Sequence, residues 1–69
     1  MFKLVAHNIK IMRAIRNLTQ AQLAEMIGVH EKYIGVIEAG KQNITLKTLN
    51  KIAITLNVET ARLLEQQKF

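Results

Sequence analysis

The side chains with most chemistry to offer are cations: ten lysines and arginines stand against five glutamates, a formal net charge of +5 over 69 residues. The groups that enzymes use are sparse. Serine, cysteine and aspartate are absent, so neither a Ser-His-Asp nor a Cys-His nucleophile can be assembled. Glu25, Glu31, Glu38, Glu59 and Glu65 are scattered and form no catalytic carboxylate pair. His7 and His30 lie far apart, without thiolates or a ligand partner at useful spacing, so no metal site is expected. Gly28, Gly35 and Gly40 do not make a phosphate-binding loop. No catalytic residue, cofactor or metal is expected. The charge of so small a domain favours a polyanionic partner instead.

The elements that must position those cations centre on Thr19 to Gly40, TQAQLAEMIGVHEKYIGVIEAG. Thr19 and Gln22 make a T-x-x-Q capping box, in which each side chain satisfies the other's backbone N–H. Leu23, Ala24 and Ile27 recur at helical spacing, and Gly28 follows where a helix ends in a left-handed residue. Val29 dips inward. A second helix starts at His30 or Glu31, buries Ile34 and Ile37, and stops at Gly40.

This arrangement resembles the helix-turn-helix of the Cro and phage-repressor class, the XRE-type family. With Gln20 as the first motif position, Ala24, Gly28, Val29, Ile34 and Ile37 fall in register. LTQAQLA is similar to the family's LTQ-x-x-LA, and IEAGK to its IExGK. The likeness covers roughly Leu4 to Leu64, and the run NITLKTLNKIA resembles small members such as controller proteins of restriction–modification systems. It implies a compact five-helix domain of the lambda-repressor-like type spanning 1–69. It also implies that Arg13, one residue from Met12 on the first helix, pairs with Glu38 of IExGK across a partly buried interface.

The second helix of such a motif enters the major groove N-terminus first. His30, Glu31, Lys32, Tyr33 and Val36 are therefore candidates for base contact. Lys32 can donate to guanine, Glu31 can accept from cytosine, and Val36 can touch a thymine methyl. Each has a plainer alternative: Glu31 can serve the helix dipole, Lys32 a phosphate, and Tyr33 the scaffold. Gln20, with the free N–H groups opening the first motif helix, is a phosphate-contact candidate. Lys41, Asn43 and Lys47 match the loop and helix start that clamp the backbone in the family. Lys51, Arg62 and Lys68 read as solvated charges. Gly35, where the family more often has serine, is read either as close approach to DNA or as drift.

No proline and no strand-like alternation occur, so the class is all-α. The first helix is expected over Phe2 to Asn17, with Val5, Ile9, Met12 and Ile15 or Arg16 as its apolar stripe. Thr45 should cap a fourth helix burying Leu46, Leu49, Ile52, Ala53 and Leu56, with Asn57 as a left-handed stop. A fifth helix is expected from Thr60 to about Gln67. Leu63 and Leu64, about 100° apart on it, cannot both face the core. One of them, with Phe69, is a candidate for a homodimer interface. No run approaches the ~20 apolar residues of a membrane span, and a cytoplasmic, nucleoid-associated location is expected for a bacterial or phage-encoded protein. The function that the resemblance implies is sequence-specific binding of double-stranded DNA as a homodimeric transcriptional regulator. The rival is a protein-interaction or antitoxin-type module of the same fold, with a protein partner and DNA contact secondary or lost.

Overall fold

The computed structural model describes residues 2–67, so Lys68 and Phe69 lie outside it, Phe69 together with its expected interface role. The described residues form four α-helices and one 3₁₀ segment: α1 (Phe2–Ile15), α2 (Gln20–Ile27), α3 (Glu31–Glu38), α4 (Leu46–Thr55) and Thr60–Leu64. None of these helices is long and apolar enough to cross a membrane.

The helix starts are written locally. Thr19 Oγ1 accepts from Gln22 N at 3.0 Å, while Thr19 N donates to Gln22 Oε1 at 2.8 Å, completing the capping box of α2. Thr45 Oγ1 accepts from Thr48 N at 3.2 Å and opens α4. The helix ends share one device. A left-handed residue follows each helix: Asn17 (φ 58°), Gly28 (φ 77°), Gly40 (φ 70°) and Asn57 (φ 57°). The next residue donates its N–H back across six residues, Leu18 to Arg13 O, Val29 to Ala24 O, Lys41 to Val36 O and Val58 to Ala53 O. These closures satisfy carbonyls that a helix end otherwise leaves bare. Gly28, Gly40 and Asn57 are legible as stops. Asn17 is not, and it ends α1 at Ile15, earlier than the expected Asn17.

The four helices and the 3₁₀ segment share one aliphatic core. α3 packs on α1 and α2, α4 on α2, and the 3₁₀ segment on α1 and α4. Ile9, Leu23, Ile34, Ile52, Leu56 and Leu63 are fully buried. Two expected core positions are not. Ile15, in the last turn of α1, is 58% exposed, and Leu46, the first residue of α4, is 66% exposed. Both sit at helix ends that overhang the core, where the 3.6-residue stripe continues but the opposing wall does not.

The fifth helix is shorter and tighter than its periodicity suggests. It is a 3₁₀ turn, after which Glu65 is extended (φ −104°, ψ 152°). The cause lies on α1. Asn8, fully buried among apolar neighbours, donates from Nδ2 to Leu63 O at 3.0 Å and to Glu65 O at 2.7 Å. The carbonyls that α-helical continuation would have used are thus taken by a side chain, and Asn8 Oδ1 is left buried without a partner. At the other end of the bundle, Arg16 Nε donates to Leu56 O at 2.8 Å, a cation on the carbonyl end of α4 where the helix dipole welcomes it.

Asn8→Ala leaves the carbonyl of Leu63 buried and unpaired. An orphaned buried acceptor costs about 1–3 kcal/mol, so a lower urea midpoint at unchanged slope is the expected outcome of equilibrium unfolding.

Candidate nucleic-acid interface

α3 has two faces. Ile34 and Ile37 are buried, and Tyr33 is partly buried against the core, so its ring serves the scaffold first. Glu31, Lys32 and Val36 face solvent. Lys32 and Val36 are one turn apart on the same side. Eight residues at 1.5 Å make a rod of about 12 Å, comparable to the width of a major groove.

His30 does more than its residue type suggests. Its Nδ1 accepts from Lys32 N at 3.1 Å, so the imidazole caps α3 in the place of a serine or threonine oxygen. That bond requires an unprotonated Nδ1, and the neutral ring then carries its hydrogen on Nε2, an exposed donor beside Lys32. The helix-opening job and an outward-facing donor come from one side chain.

The pitch of α3 is set at its other end. Glu38 is held by Arg13, Nε to Oε2 at 2.7 Å and Nη2 to Oε1 at 3.0 Å, a two-pronged contact between α1 and α3. Arg13 Nη1 also donates to Leu18 O at 2.6 Å, tying in the link before α2. Gln20 Nε2 donates to Glu38 Oε1 at 3.0 Å. One carboxylate thus joins α1, the first residue of α2 and the last residue of α3. The side chains of Arg13 and Glu38 are only 13% and 2% exposed. The hydrogen bond to Glu38 raises the Arg13 pKa; burial opposes it, and the charge of Glu38 adds to it. The guanidinium stays charged at any working pH.

Gln20 is therefore placed differently from a freely reaching phosphate ligand. Its amide is committed to Glu38 through one hydrogen, leaving its main-chain N–H at the start of α2 and the second amide hydrogen for an anion. Gly35 faces this same junction. A Cβ there would lie 3.6 Å from Gln20 Oε1, an ordinary contact, so the helix crossing does not demand glycine. Lys41, Asn43 and Lys47 are exposed on the α3–α4 loop and the first turn of α4. Asn43 Oδ1 accepts from Ile44 N at 3.0 Å, which leaves its Nδ2 hydrogens free of that turn. Of the two adjacent leucines in the 3₁₀ segment, Leu63 is fully buried in the monomer core and is not available to a partner, whereas Leu64 is 45% exposed. Leu64 borders an apolar cleft of about 150 Å³ with Ile44, Leu46 and Leu49. Among the described residues no three of His, Cys, Asp or Glu come close enough together to hold a metal ion.

Asn8 and the role of Arg16 escape a reading of the sequence, whereas His30, an indifferent cap by residue type, does open α3. For Asn8 the signal was present, since it lies three residues after Val5 and four before Met12, on the apolar stripe itself.

Two helices joined through a left-handed glycine, the first capped by Thr19 and the second presenting Glu31, Lys32 and Val36, define a helix-turn-helix protein. A family model described as "Helix-turn-helix" matches residues 9–63. The chain is 43% identical over 65 residues to the control protein C.SmaI of Serratia marcescens, covering 94% of this chain and 77% of that protein. Its backbone superposes on the hypothetical transcription factor NHTF from Neisseria with a TM-score of 0.90 at 28% identity, over 94% of this chain and 75% of that one. The restriction-modification controller protein C.Esp1396I, solved as a tetramer with its natural 35-base-pair operator, gives a TM-score of 0.81 at 30% identity, over 91% and 83% of the two chains. The chain belongs to the XRE-type helix-turn-helix family, a class of DNA-binding transcription regulators.

Arg13→Ala strands the Glu38 carboxylate, and breaking a buried pair costs about 3–5 kcal/mol. Thermal melts of R13A, E38A and R13A/E38A form a cycle in which the double variant loses less than the sum. Strict additivity would mean that the two groups do not interact.

Proposed function

We propose that this protein is a sequence-specific double-stranded-DNA-binding transcription regulator that acts as a homodimer on a two-fold operator. The observation that carries the reading is the exposed start of α3, where His30, Glu31, Lys32 and Val36 stand clear of the core while Glu38 fixes the helix from behind. Lys32 and the His30 Nε2–H suit guanine or phosphate oxygens, Glu31 suits the cytosine amino group, and Val36 suits a thymine methyl. Tyr33 contributes at most its hydroxyl. Lys41, Lys47, the Asn43 amide and the main chain at Gln20 take phosphates, which position the protein without reading sequence. The operator complex solved for the related C.Esp1396I supports this assignment.

The homodimer is argued from size and surface. The body measures 27 Å at its longest, whereas half-sites of a two-fold operator are about 34–36 Å apart, so two copies are needed to read both. Exposed Leu64 and Leu46 beside the apolar cleft supply the surface that a second copy would cover.

Selection of bound sequences from a random duplex pool should yield a palindrome. Binding to it should weaken steeply with salt, because each neutralised phosphate contributes about 0.9 to the log–log slope. Lys41→Ala and Lys47→Ala should each lower that slope by about one contact per protomer, two per dimer, while sequence preference stays the same. A wild-type protein that binds no duplex at low salt would turn the assignment toward a protein-interaction module.

Leu64→Glu should stay folded, sediment as a monomer and bind the palindrome poorly. Leu63→Glu, which places a charge in the core, should unfold. A folded dimer of L64E would put the interface elsewhere.

A further inference from the structure

The surface beside the reading helix carries cations that this reading leaves unused. Lys3 and Lys10 are both exposed on α1 and seven residues apart, about two turns, so they share one face roughly 10 Å long. His7 lies between them. Together they line one wall of a cleft whose other wall is Glu38, Ala39 and Gly40, the C-terminal end of α3. At one end, Lys10 also borders a second cleft with Gln20 and Gly35. At the other, the stem of Lys3 lies against Gly40, where a Cβ would meet Lys3 Cγ at 3.3 Å. The strip therefore runs from the start of α2 to the start of the α3–α4 loop, touching both places assigned to the two phosphate walls of the groove.

Among the described residues its charge is not spent. Glu38 is the one acidic residue among them that lines either cleft, and both of its oxygens are taken by Arg13, with Gln20 sharing one. Among the described residues neither Lys3 nor Lys10 has an ion-pair partner. Two ammonium groups held this way, beside a neutralised carboxylate and next to the reading helix, fit a polyanion with regularly spaced charges.

We infer that Lys3 and Lys10 form a second backbone-contacting strip on α1, Lys10 holding the phosphate strand met by the start of α2 and Lys3 the strand met by the α3–α4 loop. The inference rests on the DNA-binding reading above and deepens it. The strip adds affinity and salt dependence and carries no sequence preference, since ammonium groups on phosphates read no base edge.

The test is the salt dependence of binding to the selected palindrome, measured for wild type, K3Q, K10Q and K3Q/K10Q. Glutamine keeps the stem of Lys3 over Gly40 and removes only the charge, and thermal melts check that each variant is folded. Each substitution removes one contact from each protomer of the dimer, so K3Q and K10Q should each lower the log–log slope by about 1.8 and the double variant by about 3.6, with the order of preference among sites unchanged. Lys51→Gln is the charge-matched control, because Lys51 lines a separate surface with Met26 and Ile54 at the far ends of α2 and α4; it should keep the wild-type slope. A double variant whose slope falls by less than one contact per protomer, or a control that falls as far, overturns the strip while leaving the DNA-binding reading intact. A wild-type protein that binds no duplex at any salt overturns both.

Discussion

A single carboxylate holds the helix-turn-helix together. Glu38 closes α3, accepts two hydrogen bonds from Arg13 of α1 and one from Gln20 of α2, and is almost wholly withdrawn from water. Buried ion pairs often add little net stability, because the cost of stripping water from two charges nearly matches their attraction. What this one supplies is geometry. A guanidinium fork and a carboxylate meet in a plane, so the pair resists rotation as well as separation. With Arg13 also donating to Leu18 O, the link into α2 is fixed by the same side chain. The angle between the two motif helices, and with it the presentation of Lys32 and Val36, follows from that junction.

A second buried polar group performs a comparable task at the 3₁₀ segment. Asn8 spends both hydrogens of its amide on the carbonyls of Leu63 and Glu65, which turns the chain out of a helix and seats Leu63 in the core. Its oxygen has no donor, so the arrangement is bought with an unsatisfied acceptor. The result is that Leu64, and not Leu63, is left at the surface beside the apolar cleft. The one polar residue on the inner stripe of α1 thereby selects which leucine is available to another molecule.

The parts of this structure that sequence reveals are those governed by neighbours in the chain. Thr19 with Gln22, Thr45, Gly28, Gly40 and Asn57 act over three to six residues, and each does what its type allows at its position. The apolar spacing of α2 and α3 is similarly explicit. What is not legible depends on what lies opposite. Leu46 has the period of a core residue but faces a cleft that none of the described residues fills, and Thr60 to Gln67 has helical spacing that Asn8 overrides from 55 residues away. The candidate interface residues divide the same way. Exposure of Glu31, Lys32 and Val36 follows from the burial of Ile34 and Ile37, while the engagement of Gln20 with Glu38 required the folded arrangement.

α3 is only eight residues long, and α2 is no longer. Isolated helices shorter than about 12–15 residues barely form in water, so neither element persists once the core opens. A regulator built this way recognises nothing once its core opens: the fraction able to recognise its target cannot exceed the fraction folded. Proteolysis, temperature and sequence change would then act on gene control through one shared quantity, the concentration of intact protein, and bound nucleic acid would in turn shelter the chain by withdrawing it from the unfolding equilibrium.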